Sequence, residues 1–167
     1  MPYLMIGVMG PGETASDHTI QQAYQLGRLI AQQGWVLLSG GRNTGIMEAV
    51  SRGAKAADGL VVGILPHSDR SRMSAAVDIA IVTDLGNARN NINVLSSDVV
   101  IAFEGSMGTL SEVALALKAE KPVILLDWSE QGRSYLRAIA PHLSIAADPD
   151  EAIAIAAHLL KSESQTS

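Results

Sequence analysis

Short runs of Val, Ile and Leu recur along the 167-residue chain, and most are followed by a glycine-rich or polar loop and then by helix-like spacing of apolar residues. A strand that is apolar throughout must be covered on both faces, and parallel strands need helical crossovers between them. The repeated order of strand, loop and helix therefore predicts a doubly wound α/β fold, a mostly parallel sheet of about seven strands with helices on both faces. Strands are expected at Leu4–Met9, Trp35–Leu38, Leu60–Leu65, Ile79–Val82, Val99–Phe103, Pro122–Leu126 and Leu143–Ile145. The pattern predicts helices over Ile20–Gln33 (closed by Gly34), Thr44–Ala57, Asn90–Leu95, Leu110–Ala119, Tyr135–Ile139 and Asp150–Leu160. The Val99–Phe103 run has no polar residue and is expected at the centre of the sheet. Residues 1–161 read as one domain without repeat or linker, and 162–167 as a polar, frayed tail.

Composition narrows the partners. Hydrophobic residues make up 47% of the chain and aromatic residues only 4%, so an aliphatic core is expected. The formal net charge of -5 repels a nucleic-acid backbone, and no dense Lys/Arg cluster offsets it. Without cysteine there is neither a disulfide framework nor a thiolate metal site, and His18, His67, His142 and His158 lack ligand-like spacing. No protein-held metal is expected. The first apolar run has no basic flank, so no signal peptide is expected, and no run has membrane-spanning length. A cytoplasmic protein with no membrane partner is the expectation.

In a doubly wound sheet ligands bind beyond the carboxyl ends of the strands, so chemistry is sought in the loops there. The loop after the first strand, Gly10-Pro11-Gly12-Glu13-Thr14-Ala15, matches a dinucleotide fingerprint by letter. The second strand, however, ends in Ser39-Gly40-Gly41 and lacks the acid that would hold a ribose, while Pro11 removes an N–H. Gly10 and Gly12 are kept as backbone candidates for ligand contact. In the second loop, Gly40 and Gly41 allow close backbone approach and Arg42 offers a fork of donors to an anion.

The strongest signal is Glu104-Gly105-Ser106-Met107-Gly108-Thr109-Leu110-Ser111-Glu112, where a buried strand runs into a helix. Free N–H groups and the positive end of the helix dipole form an anion site there, so Gly105, Ser106, Met107, Gly108 and Thr109 are the expected phosphate cradle. Thr109 and Glu112 also read as a capping box, with Thr109 as the N-cap. Arg89 follows the fourth strand on the same sheet edge and could neutralise a phosphate or steady a carboxylate.

At these residues the chain resembles the LONELY GUY (LOG), or "lysine decarboxylase-like", family of cytokinin-nucleotide phosphoribohydrolases. The family pattern P-G-G-x-G-T-x-x-E falls on Glu104–Glu112, its upstream arginine on Arg89, and G-G-G-x-x-G-L-M on Gly40–Met47. The chain is more similar still to the molybdenum cofactor carrier subgroup, in Gly45–Val50, Ala88–Asn90, Gly108–Glu112 and Lys121–Ile124. The resemblance implies a Rossmann-like sheet, assembly as a homodimer or higher homo-oligomer, and a phosphorylated small ligand on the glycine loop. Two positions depart from P-G-G-x-G-T-x-x-E: Glu104 replaces Pro and sets a negative charge beside the expected anion site, and Ser106 replaces Gly.

Two functions follow from the resemblance. One is a carrier or storage protein for the molybdenum cofactor, a phosphorylated pterin bringing its metal on its own dithiolene, with no covalent cofactor. The other is a nucleoside 5′-monophosphate phosphoribohydrolase, in which Glu112 assists departure of the base and Arg89 holds the phosphoribosyl group. A third, DNA-processing reading by similarity of the glycine loops conflicts with the acidic balance.

Overall fold

The computed structural model describes residues 3–163, and there the apolar runs form seven strands: β1 (Met5–Met9), β2 (Val36–Ser39), β3 (Val61–Leu65), β4 (Ile79–Val82), β5 (Val99–Phe103), β6 (Val123–Leu126) and β7 (Ser144–Ala146). They pair in the order β4-β3-β2-β1-β5-β6-β7, every pair parallel. The helices between them are α1 (Asp17–Gln32), α2 (Gly45–Ala56), α3 (Asn90–Leu95, entered through a 3-10 turn at Gly86–Arg89), α4 (Met107–Lys118), α5 (Glu130–Ile139) and α6 (Pro149–Glu163). This is the doubly wound, Rossmann-like sheet expected from the sequence, with β1 in the middle and β5 beside it.

The alternation of side chains along each strand divides the core in two. Ile6, Val8, Leu37, Ile101, Phe103 and Ile124 pack beneath α1, α2 and α6. Val36, Leu38, Val100, Ala102, Val123 and Leu125 face α3, α4 and α5. No described helix is long and apolar enough to cross a membrane. Helices α1 and α2 touch at two glycines: a Cβ on Gly53 would lie 1.9 Å from the Tyr24 carbonyl oxygen, and one on Gly27 would lie 2.0 Å from that of Val50. That contact brings the loops entering both helices side by side at the carboxyl edge of the sheet.

The strands fall within a residue or so of expectation, whereas three helices begin earlier. Helix α1 starts at Asp17 because Ser16 caps it, accepting from the Thr19 N–H at 3.1 Å. Helix α5 starts at Glu130 because Ser129 accepts from the Gly132 N–H at 3.2 Å. In both, the first turn is polar and so carries no apolar periodicity to read. Helix α4 starts at Met107 rather than Leu110, and Gly108 in its first turn hid the helix. Helix α6 continues to Glu163, and residues 164–167 of the expected tail lie outside the described residues.

The chain leaves β1 on one side for β2 and reaches β5 on the other, so the strand order reverses between β1 and β5. Loops diverging from such a reversal leave a crevice at the carboxyl ends of the strands.

Candidate functional site

The crevice is a small, open cleft of about 160 Å³. It is lined by residues of four segments: Val8, Met9, Gly10 and Gly12 at the end of β1; Gly40, Arg42 and Met47 around the entry to α2; Asn87, Arg89 and Asn90 at the 3-10 turn; and Ser106, Gly108, Thr109 and Glu112 on α4. Nine sequence candidates therefore meet at one place: Gly10, Gly12, Gly40, Arg42, Arg89, Ser106, Gly108, Thr109 and Glu112. Three others sit beside it. Gly41 packs its backbone against Gly63, with φ +69°; Gly105 lines a neighbouring depression with Pro11 and Thr14; and the Met107 side chain is 76% exposed.

The start of α4 differs from the sequence reading in a way that bears on chemistry. Ser106, not Thr109, is the N-cap, and its side chain makes no capping hydrogen bond. The first α-helical bond runs from the Leu110 N–H to the Ser106 carbonyl at 3.1 Å, so the N–H groups of Met107, Gly108 and Thr109 precede it and have no helical partner. The capping-box alternative is thereby overturned, since Glu112 lies deep in the helix and bonds to Asn93 on α3 instead. At α1, α5 and α6 the helix start is closed by a side chain. Ser16 and Ser129 cap α1 and α5, and Asp148 Oδ1 accepts from the Glu151 N–H of α6 at 2.8 Å. At α2 the Ile46 N–H bonds the Pro11 carbonyl at 3.0 Å. That contact needs Gly45 at φ +55°, where a Cβ would lie 2.1 Å from the Gly12 carbonyl oxygen.

Glu104 lines the neighbouring depression rather than the cleft. Its Oε2 accepts from the Ser129 N–H at 2.7 Å and its Oε1 from the Ser129 hydroxyl at 2.8 Å, so its charge sits at the N-terminus of α5.

The cations are partly engaged. Arg89 Nη1 donates to the Gly40 carbonyl at 2.6 Å and to that of Ile64, which anchors the guanidinium at the ends of β2 and β3, while its Nε is buried without a partner among the described residues. Arg42 Nη2 donates to Glu13 Oε1 at 3.0 Å, an exposed pairing of the kind that contributes little stability. The Glu13 carboxyl is held below its ordinary value, first by a backbone hydrogen bond and then by Arg42.

Glu112 is 9% exposed, and burial pushes its carboxyl up to about 7 against the lowering effects of the Asn93 hydrogen bond and of Arg89. No ion pair joins it to Arg89 among the described residues. The coupling is felt at both ends: burial lowers the Arg89 value and Glu112 raises it. The arrangement offers free backbone donors, two guanidinium groups and a carboxyl poised between its two protonation states near neutral pH.

Sequence reasoning missed Met47, Asn87, Asn90 and Asn93 at or behind the cleft. Asn90 and Asn93 stand three apart, a spacing that marks one helix face, yet only the fold shows that this face meets α4.

The SLOG cluster4 family pattern matches residues 3–153, nearly the whole chain. The fold is shared with the molybdenum cofactor binding protein of the phototrophic bacterium Rippkaea orientalis, at 55% identity and TM-score 0.94, covering 96% of this chain and 99% of that one. It is shared also with the molybdenum cofactor carrier protein of Chlamydomonas reinhardtii, at 44% identity and TM-score 0.91 over the same shares of the two chains. A cytokinin riboside 5′-monophosphate phosphoribohydrolase of Mycobacterium tuberculosis is 33% identical over 116 residues, 65% of this chain. That match spans 62% of the enzyme, less than two thirds of its length.

The raised Glu112 carboxyl makes a stability prediction with a definite sign. The folded state keeps a proton that the unfolded chain releases above its ordinary value of 4.5, so stability is lost as pH rises from 4.5 through 7. Glu112→Gln removes that titration. Relative to the parent, the variant gains on the order of 3 kcal/mol between pH 4 and pH 8 in urea unfolding. A stability difference that does not change with pH would contradict the assignment.

Proposed function

We propose, for a chain that belongs to the SLOG cluster4 family, that its cleft binds a phosphorylated small ligand and that this ligand is the molybdenum cofactor, carried or stored in the cytoplasm. The observation that carries this reading is the start of α4, where Ser106, Gly108 and Thr109 line the cleft and no side chain caps the helix, while α1, α5 and α6 are closed by side chains. A phosphate there receives backbone donors and the positive end of the helix dipole. Gly105, Ser106, Met107, Gly108 and Thr109 form the phosphate cradle, with Arg42 and Arg89 as the flanking cations. Gly10, Gly12 and Gly40 line the space for the ring system, and Gly41 supports it from beside the cleft by its close packing on Gly63.

The residues present fit this ligand. Nothing but the Ser106 hydroxyl, at 3.7 Å, lies within 4 Å of a Cβ placed on Gly108, so the cradle is open. Among the described residues no three His, Cys, Asp or Glu side chains converge on one point. The metal would therefore be held by the cofactor's own dithiolene, and the protein would grip the phosphate and the pterin.

One observation favours a second reading as an enzyme. The Glu112 carboxyl, near 7 and beside the phosphate cradle, has the protonation behaviour of a general acid. In a phosphoribohydrolase it would protonate the departing base as the N-glycosidic bond breaks and water adds to the sugar carbon. The mycobacterial relative's activity is the reaction this would correspond to.

The purified protein is incubated with a panel of nucleoside 5′-monophosphates, with free base followed by chromatography. A parallel sample is loaded with molybdenum cofactor and passed to a cofactor-free molybdenum enzyme. The carrier reading predicts no base release, together with cofactor retained through gel filtration and then delivered. Base release that disappears in Glu112→Gln would replace it with the hydrolase reading.

The assembly is proposed to be a homodimer or larger. Leu110, Ala114, Leu117, Tyr135 and Ile139 line an apolar groove between α4 and α5, and Tyr135 and Ile139 are each 62% exposed. Apolar surface grouped in this way suits contact with another protein surface. Light scattering at micromolar concentration should give the mass of two copies or more; a single-copy mass at every concentration would remove this part.

A further inference from the structure

Asn93 lies on α3 with no exposed surface, and its Nδ2 donates to Glu112 Oε1 at 2.9 Å. Its Oδ1 is buried without a partner among the described residues. A primary amide at a fully buried position loses its water at both ends, and here only one end regains a partner. Leucine has the same number of side-chain heavy atoms branched at the same carbon, and has no polar atom to desolvate. A side chain placed there for packing alone would be apolar, so the amide is accounted for by what its N–H does.

The surroundings fix the amide in place. The Ser97 hydroxyl donates to the Asn93 carbonyl at 2.8 Å and sits against Gly7 of β1, where a Cβ would come within 2.1 Å of its oxygen. One turn before, Asn90 Nδ2 donates to the Ser111 hydroxyl at 2.8 Å. The two asparagines share a face of α3 and clasp the consecutive residues Ser111 and Glu112 of α4.

We propose that Asn93 is the positioning residue of the cleft: it ties one oxygen of Glu112 to α3 and leaves the other for the ligand. The role is the same whether the cleft holds a carried cofactor or a substrate, and its test needs no ligand. The titratable groups facing Glu112 across the cleft are Arg89, at the head of α3, and Arg42, at the entry to α2. Helix α3 and strands β5 and β6, which pack against α4, present none. Asn93 is thus the only neutral side chain among the described residues that donates a hydrogen bond to this carboxyl.

The experiment is a pH titration of the whole protein by carbon-detected NMR of glutamate carboxyls, with the Glu112 signal assigned by its loss in Glu112→Gln. In Asn93→Leu the branched shape stays and the donor goes, so the Glu112 midpoint, near 7 in the parent, should rise by about one unit. If Asn93 only filled space, the substitution would leave the midpoint unchanged. If its loss loosened the helices and admitted water, the midpoint would fall toward 4.5. Either result overturns the proposal. A second readout needs no variant: the Asn93 side-chain NH₂ resonances of the parent should titrate with the midpoint of Glu112. Resonances that stay fixed through that titration would also overturn it, including when Asn93→Leu does not fold.

Discussion

The N–H groups at the start of α4 precede the first helical hydrogen bond, and they emerge where the sheet reverses its strand order. Polar backbone groups in that position need an acceptor from water or from a ligand. Much of the neighbouring structure keeps the position open. Ser106 makes no capping bond, Thr109 is buried with its hydroxyl near Gly105, and Gly108 carries no side chain into the cleft. The two-faced core beneath holds β1 and β5 side by side, so the loops that leave them face one another.

Around this site, charge is distributed by burial and by partners rather than by net count. Glu104, in sequence the nearest acid to the cradle, spends both carboxylate oxygens on Ser129 and helps close α5. Arg89 is anchored to two backbone carbonyls, which fixes its position, and it makes no ion pair among the described residues. Arg42 is matched by the exposed Glu13, an interaction that solvent screens and an incoming anion can displace. Glu112, desolvated and tied to Asn93, becomes neutral at a pH where an ordinary carboxyl is charged. As pH falls through that range the cleft loses a negative charge and becomes more favourable to an anionic ligand.

The strands were legible because a parallel strand covered on both faces reads as a continuous apolar run, as Val99–Phe103 does, and their parallel pairing followed from the helices between them. The glycine-rich segments were legible as loops at the carboxyl ends of strands, several of whose residues meet at one cleft. Helix starts were not. The first turns of α1, α4 and α5 hold Asp17-His18, Met107-Gly108 and Glu130-Gln131-Gly132, which have no apolar spacing to detect. Reading Thr109 as an N-cap was a local inference that the backbone geometry overrode. The partner of Glu104 is 25 positions away and that of Glu112 is 19 positions away, so neither could be read from neighbouring residues. Sequence spacing identified the chemical groups of the cleft, whereas their division of labour depends on contacts that only the folded chain makes.

The account rests on the backbone of α4 as the phosphate receptor, and backbone amide NMR during a titration with inorganic phosphate tests this most directly. The amide signals of Met107, Gly108 and Thr109 should move together and saturate at one dissociation constant, while signals of the groove between α4 and α5 stay in place. If those amides remained unmoved while phosphate bound elsewhere, the cleft would not be the phosphate site and the functional reading built on it would fail.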